Sequence, residues 1–375
     1  MAGIYIHIPF CRQACTYCNF HFSVSLKNKQ AMIAAIIREI GLTEAFHKTE
    51  TIETVYIGGG TPSLLYGDEL EGIFDALGKK FTLSGNAEIT LEANPDDITK
   101  EMLSEWHELG VNRLSVGIQS FNEDELKWMN RAHTSAQSFA CLDMIREAGF
   151  EDFSVDLIYG SPLQTNDDLE RNFSIIAEKN IPHISCYAFT EEPGTAFAKS
   201  VKEKRSAPTD PQKQSEQFHL LLTMMDAAGY EQYEISNFCR PGHRSRHNSS
   251  YWQGKAYYGF GPAAHSFDGD KKRKWNISNN SLYIQSLEKG IIPFEEEALT
   301  DKQKLNEYIM TSLRTAEGLD LDLVKNEFSE NDALRIDNDA AQFLKDGRMN
   351  KEEASLILTN EGKFFADGIA SDLFV

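Results

Sequence analysis

Tyr5-Ile-His-Ile-Pro-Phe-Cys11-Arg-Gln-Ala-Cys15-Thr-Tyr-Cys18 decides how this chain is read. The run Ile4–Ile8 is short, apolar and β-branched, the composition of a buried strand. Directly after it, three cysteines fall within eight residues at Cys-x3-Cys-x2-Cys spacing. Thiolates are soft ligands that suit zinc or an iron–sulfur cluster. Structural zinc takes four ligands, and only three cysteines lie here, although His7 and His21 flank them. A loop that gives three sulfurs leaves one metal position open, and an open position is where chemistry occurs.

Working outward, strand and helix patterns alternate. Lys27–His47 has apolar residues at helical spacing. Thr54–Ile57 is a strand that runs into Gly58, Gly59 and Gly60. Helix Asp68–Leu77, strand Glu88–Leu91 and a helix from a Thr99 cap to Gly110 follow. Then come strand Arg113–Gly117, helix Ser135–Ala148, strand Phe153–Ile158, helix Asp167–Glu178 and strand His183–Tyr187. Six strand–helix repeats with short connections make a parallel sheet covered by helices, an α/β class. Polar residues gather just after the strands' carboxyl ends: His7, Gly58 to Thr61, Glu92, Gln119 and Asp156. Both open sheets and barrels bind ligands there. Six repeats are too few for a closed eight-fold barrel, so residues 1–190 are expected to form a partial (β/α)6 barrel with one open side.

The pattern then changes. Glu191–Pro211 is charged and proline-bearing, a connector; Lys213–Ala228 is helical, and Tyr230–Ile235 reads as a strand. Asn237–Phe267 is rich in Gly, His, Arg and aromatics with little periodicity, and long irregular segments are usually functional. From Leu299 the chain shows helix Asp301–Thr315, the segment Gly318–Leu321, a helix near Asn338–Asp346, a strand at Ala354–Leu358 and a last helix. This predicts a small winged-helix-like α+β module over 299–375. Residues 291–375 hold 9 basic and 19 acidic side chains, the wrong sign for a DNA-reading wing.

Taken together the motifs resemble those of the radical S-adenosylmethionine (SAM) superfamily. In that superfamily three such cysteines hold a [4Fe–4S] cluster whose remaining iron chelates SAM. Tyr5 to Cys11, Gly58-Gly-Gly-Thr-Pro62, Glu92-Ala-Asn-Pro95, Gly117-Ile-Gln-Ser-Phe121 and His247-Asn-Ser-Ser-Tyr-Trp252 narrow the likeness to the HemN/HemW group. That group comprises the oxygen-independent coproporphyrinogen III oxidases and their relatives. The resemblance implies a cluster on Cys11, Cys15 and Cys18, with SAM contacts from Gly59, Gly60, Thr61, Glu92, Gln119, Arg131 and Asp156. It places Tyr5 and Tyr17 beside the cluster. The true oxidases carry a further cysteine two residues past the third, where this chain has Phe20, and an extension ahead of the first strand, where Tyr5 stands almost at the start. His247 to Trp252 resembles instead the signature of heme chaperones of this group, which bind heme and deliver it to heme-dependent client proteins. Imidazole is a common axial ligand of heme iron, so the resemblance makes His247 the heme residue, with Cys239 and His243 as neighbouring alternatives. Tyr251 and Trp252 would lie on the porphyrin face, and Arg240, Arg244 and Arg246 would meet its propionates. Porphyrinogen decarboxylation and radical methyl transfer are the rival enzymatic readings.

Composition sets the outer limits. Against 37 basic residues stand 57 acidic ones, a formal charge of −20 and a pI near 4.9, which argues against broad nucleic-acid binding. No stretch approaches the length of a membrane span. Met1 to Phe10 reads as a strand and not as a signal peptide. Lys199–Arg205 and Lys271–Lys274 read as solvated faces, with peripheral membrane contact the weaker alternative. Clustered cysteines without a disulfide-like distribution point to the reducing cytoplasm.

Overall fold

The computed structural model describes residues 2–44, 46 and 51–375. Its centre is six strands: β1 (Ala2–Ile8), β2 (Thr51–Gly59), β3 (Thr82–Ala93), β4 (Arg113–Gln119), β5 (Asp152–Tyr159) and β6 (His183–Ala188). They lie side by side in chain order, and every neighbouring pair is parallel. Such pairing demands crossovers, and helices supply them. These are α1 (Lys29–Leu42), α2 (Gly67–Lys80), α3 (Lys100–Glu108), α4 (Glu123–Trp128), α5 (Ser135–Glu147) and α6 (Asn166–Glu178). Thr99, Thr134 and Thr165 cap the starts of α3, α5 and α6, each accepting a hydrogen bond from a first-turn amide. The α/β partial barrel read from the sequence is therefore the fold observed. Two details differ. The first helix stops at Leu42, where Thr43 turns extended, and the expected end at His47 lies outside the described residues. The β4–β5 connection carries the extra short helix α4, too brief to show a helical period.

Alternation along β4 separates core from cavity. Leu114, Val116 and Ile118 point outward into the apolar core shared with the helices, while Arg113, Ser115, Gly117 and Gln119 face inward. β5 repeats the pattern with Phe153, Val155 and Leu157 in the core and Ser154 and Asp156 inside.

The sheet does not end at residue 190. After α7 (Ala196–Lys202) and α8 (Pro211–Ala227), β7 (Glu231–Glu234) and β8 (Asn237–Cys239) add antiparallel strands beyond β6. The stretch read as irregular is ordered. It holds α9 (Arg246–Trp252), then β9 (Ala256–Phe260), which pairs parallel to β1 on its other side, and β10 (His265–Phe267). With β11 (Lys272–Asn276) and β12 (Phe294–Ala298) the sheet reaches twelve strands. Its strands are short and broken by glycine turns, so no periodicity betrays them. Gly259 is required there, because a Cβ would lie 1.9 Å from the His265 carbonyl oxygen. Glu295, Glu296 and Glu297 make β12 a charged outer edge, which discourages further strand pairing. The run 271–274 is mostly spent on ion pairs, Lys271 with Asp301, Arg273 with Glu307 and Lys274 with Glu296. Among the described residues no helix is long and apolar enough to cross a membrane.

The tail packs around its own core of Leu305, Ile309, Ile336, Phe343 and Leu356. A three-stranded antiparallel sheet, β13 (Leu319–Asp320), β15 (Ser355–Leu358) and β14 (Met349–Glu352), sits against helices, as the winged-helix-like expectation has it. It meets β7 through the Glu234–Thr315 bridge and an ion pair between Arg314 and the buried Glu234, 2.9 Å.

Glu39 ties α1 to the added strands. Its buried carboxylate accepts from the Gly261 amide at 2.8 Å, from Asn276 Nδ2 at 2.6 Å and from the Tyr283 hydroxyl. Burial pushes its pKa up to about 7, against these hydrogen bonds. The unfolded chain releases this proton near the ordinary 4.5, so between about 4.5 and 7 rising pH favours the unfolded state and this group's stabilisation falls. The buried neutral imidazoles of His7 (about 4) and His133 (about 3) act in the opposite sense below 6.5. Glu39→Gln is therefore expected to flatten the decline of Tm over pH 4.5–7. Glu39→Ala, which strands three donors, should cost about 3 kcal/mol in urea unfolding.

Candidate functional site

The cysteine loop hangs from a closed base. The Cys11 amide donates to the Ser23 carbonyl at 3.0 Å, and the Ser23 amide to that of Pro9 at 2.9 Å. Three contacts then pin the loop over the strand ends. The Thr16 amide donates to Met129 O, Asn130 Nδ2 donates to Ala14 O, and the Phe197 amide of α7 donates to Thr16 O. Cys11, Cys15 and Cys18 are free and half-buried. Arg131 reaches from the same 129–131 turn, donating to Cys15 Sγ at 3.3 Å and to Asn94 Oδ1 and Gly117 O at 2.7 Å each. Burial pushes the Cys11 thiol up to about 11 and raises that of Cys18, while the Arg131 charge pulls both down. A bound cation would reverse the first effect by displacing the protons. Among the described residues no three ligating side chains close on one ion. An iron–sulfur cluster does not ask that of them, since each thiolate takes a different iron.

Below the loop, main chain replaces side chain. Gly59 has φ +110, and a Cβ there would sit 2.5 Å from the His7 ring; a Cβ on Gly60 would sit 2.5 Å from the Phe10 carbonyl oxygen. The turn can therefore press against β1 and leave its backbone bare toward the cavity. Glu92 accepts from the Tyr56 hydroxyl at 2.8 Å and from the Gly59 amide at 3.0 Å. Burial, assisted by the nearby Asp156 charge, holds its pKa at about 7. Burial likewise lifts Asp156 to about 6, although Ser185 and Ser115 hydrogen-bond it. Gln119 adopts φ 63, and its buried Oε1 has no partner. Cys11, Cys15, Tyr17, Cys18, Gly59, Gly60, Thr61, Glu92, Gln119, Arg131 and Asp156 all line one cavity of about 500 Å³. Three thiols, a bare glycine turn, two buried carboxylates and an orphaned amide oxygen are a donor set that suits a cluster with a polar organic ligand beside it. Tyr5 lies one layer beneath, its hydroxyl 3.1 Å from His7 Nδ1 and its ring stacked on Tyr56.

His247 is elsewhere. It belongs to α9, which closes the amino-terminal end of the barrel, where Ser245 and Asn248 form part of the cavity wall. Glu88 anchors α9 by accepting from the Arg246 and His247 amides, both at 2.8 Å. The His247 imidazole is 1% exposed. Its Nδ1 is 2.8 Å from Thr54 Oγ1, its Nε2 is 2.9 Å from the Tyr251 hydroxyl, and its face stacks on Tyr56. In this conformation neither ring nitrogen is open to a ligand. The arginines expected to meet propionates are engaged separately. Arg240 covers Tyr230, Arg244 pairs with Glu231 and Glu317, and Arg246 donates to Asn86 O. Trp252 lies under Arg314, and His243 pairs with Asp152. Sequence reasoning missed the deeper cavity residues Tyr56, Arg113, Ser154 and Ser185. Strand alternation was the signal that could have found several of them.

Comparison with known proteins gives the family. The radical SAM superfamily matches residues 5–174, and the HemN C-terminal domain matches residues 299–365. The heme chaperone HemW of Bacillus subtilis (strain 168) is 32% identical over 376 residues, spanning 98% of each chain. This chain belongs to the HemW family. A HemW from Mycobacterium tuberculosis (strain H37Rv) is also 32% identical, over 99% of this chain and 94% of its own. Among solved structures, the radical SAM coproporphyrinogen III oxidase HemN of Escherichia coli superposes with a TM-score of 0.84 over 100% of this chain and 90% of its own, at 24% identity, which speaks for the fold. A radical SAM fold implies a [4Fe–4S] cluster and SAM, and in this HemW-family chain the donor set above fits both.

Glu92→Gln keeps the shape of the floor and removes its charge. It is expected to weaken SAM binding about tenfold, the worth of one hydrogen bond to a charged acceptor, with iron content unchanged. Equilibrium binding and iron quantification on the reconstituted protein check both.

Proposed function

We propose that this protein binds heme and hands it to heme-dependent client proteins, in the cytoplasm, on a scaffold that keeps its cluster and SAM site. What supports this most is whole-length similarity to proteins described as HemW heme chaperones, at 32% identity over 98% of both chains. Phe20 supports it from the site's side. It stands where the oxidases of the group carry a further cysteine, and it is 67% exposed at the cavity rim, offering no thiolate there. A reducing compartment suits three thiols kept free for iron.

Bound together, a [4Fe–4S] cluster and SAM supply a one-electron route to a carbon radical. This chain's own residues hold the site for them. Cys11, Cys15 and Cys18 would ligate the cluster, with the Arg131 charge beside them. Glu92 would take the ribose hydroxyls, and Gly59 to Thr61 would present main chain to the methionine end. We assign His247 as the heme ligand, reached once α9 withdraws and the imidazole leaves Thr54 and Tyr251.

Anaerobic heme titration of the cluster-reconstituted protein, read by absorption, is expected to saturate near one heme per chain. His247→Ala should weaken it at least tenfold and shift the spectrum. No coproporphyrinogen III should be consumed when SAM and a reductant are added. Turnover of that substrate, or an unchanged spectrum in the variant, would remove the chaperone reading or the ligand respectively.

A further inference from the structure

Arg113 opens β4 and lines the cavity at the end far from the cysteines. Six residues separate it from Gln119, about 20 Å along a strand. Its side chain is almost wholly enclosed, with 3% of the residue exposed. Among the described residues its guanidinium makes no hydrogen bond and no ion pair. The nearby carboxylates are committed elsewhere: Asp152, the register partner of Arg113 on β5, pairs with His243. Asp156 feels the Arg113 charge but is hydrogen-bonded by Ser185 and Ser115. Glu88 is taken by α9, through the Arg246 and His247 amides and Ser245 Oγ. Around the guanidinium the cavity wall is neutral and polar: Ser115, Ser154, Ser185, Ser245 and Asn248.

A guanidinium cannot shed its proton inside a protein, and an enclosed charge with no counter-charge in contact is strongly disfavoured. Buried charges are paired, and this one has a cavity in place of a partner. The fork of donors matches a planar carboxylate in bidentate contact. One positive charge among neutral hydroxyls, with Asp156 near, balances a monoanion better than a doubly charged phosphate.

We propose that the deep end of the cavity binds a carboxylate, gripped by Arg113 and flanked by Ser154 and Ser185 of the barrel strands. The carboxylate is either the propionate arm of a porphyrin or a free small organic acid. The site stands without the heme reading; only its assignment to a propionate rests on it.

Sodium propionate, titrated calorimetrically into the cluster-reconstituted full chain against sodium chloride at equal ionic strength, tests the site. Saturable binding is expected, weakened at least tenfold in Arg113→Gln and less in Arg113→Lys, which keeps the charge but loses the fork. Without propionate, Arg113→Gln should melt no lower than the wild type, because it removes an unpaired charge. No saturable binding by the wild type, or equal binding by Arg113→Gln, overturns the proposal. Should Arg113→Gln fail to fold, equal binding by wild type and Arg113→Lys overturns it. Heme and its dimethyl ester then separate the sources. Heme bound at least tenfold more tightly than the ester by the wild type, but not by Arg113→Gln, assigns the site to a propionate. Equal binding of heme and ester, with propionate binding still dependent on Arg113, assigns it to a free acid. Failure of heme to bind at all, with propionate bound, would sink the chaperone reading and leave the site.

Discussion

Where β2 ends, Gly60 passes Phe10 so closely that a methyl group could not stand between them. The Gly60 amide donates to Ile8 O, the last residue of β1, at 2.9 Å, and Phe10 turns back onto the same carbonyl at 3.0 Å. This contact sets the level at which the cysteine loop leaves the sheet. It also bares the backbone that faces the cavity, and holds the Gly59 amide against Glu92. Thiols, glycine turn and carboxylate floor take their relative positions from one approach of two strand ends.

Much of this was legible before any coordinates. The cysteine spacing, the glycines after the second strand and the acid ending the third announced a ligand site at the carboxyl ends of parallel strands. Glu92 and Gln119 occupy those ends in the structure, while Asp156 sits mid-strand on β5, facing the same cavity. Less legible was 237–267, because β8 and β10 have three residues each, too few for a period to form. The parallel pairing of β9 with β1 joins residues about 250 positions apart, and no local pattern encodes that. The plugging position of α9 was hidden for the same reason. Its identity as a motif is readable from six letters, its place at the barrel's closed end only from tertiary contact.

Electrostatics divides the cavity into two regions. At the mouth, half-buried thiols and buried acids share space with Arg131, whose two terminal nitrogens donate to Cys15, Asn94 and Gly117 while its Nε has no partner. At the base stands Arg113, whose guanidinium finds no protein partner at all among the described residues. Natural cores seldom tolerate such asymmetry except where a site requires it. The surface shows the opposite habit: most charges of β11 and β12 are matched to partners or used to blunt an edge.

The ring of His247 lies against Tyr56, and Tyr56 holds Glu92. Two segments nearly two hundred residues apart in sequence thus share a single stack, with the barrel's base on one side and the floor of the upper pocket on the other. Thermodynamic reciprocity then binds the two ends: whatever draws Glu92 and Tyr56 into tighter register must make α9 harder to dislodge, and whatever pulls α9 away must loosen the floor by the same free energy.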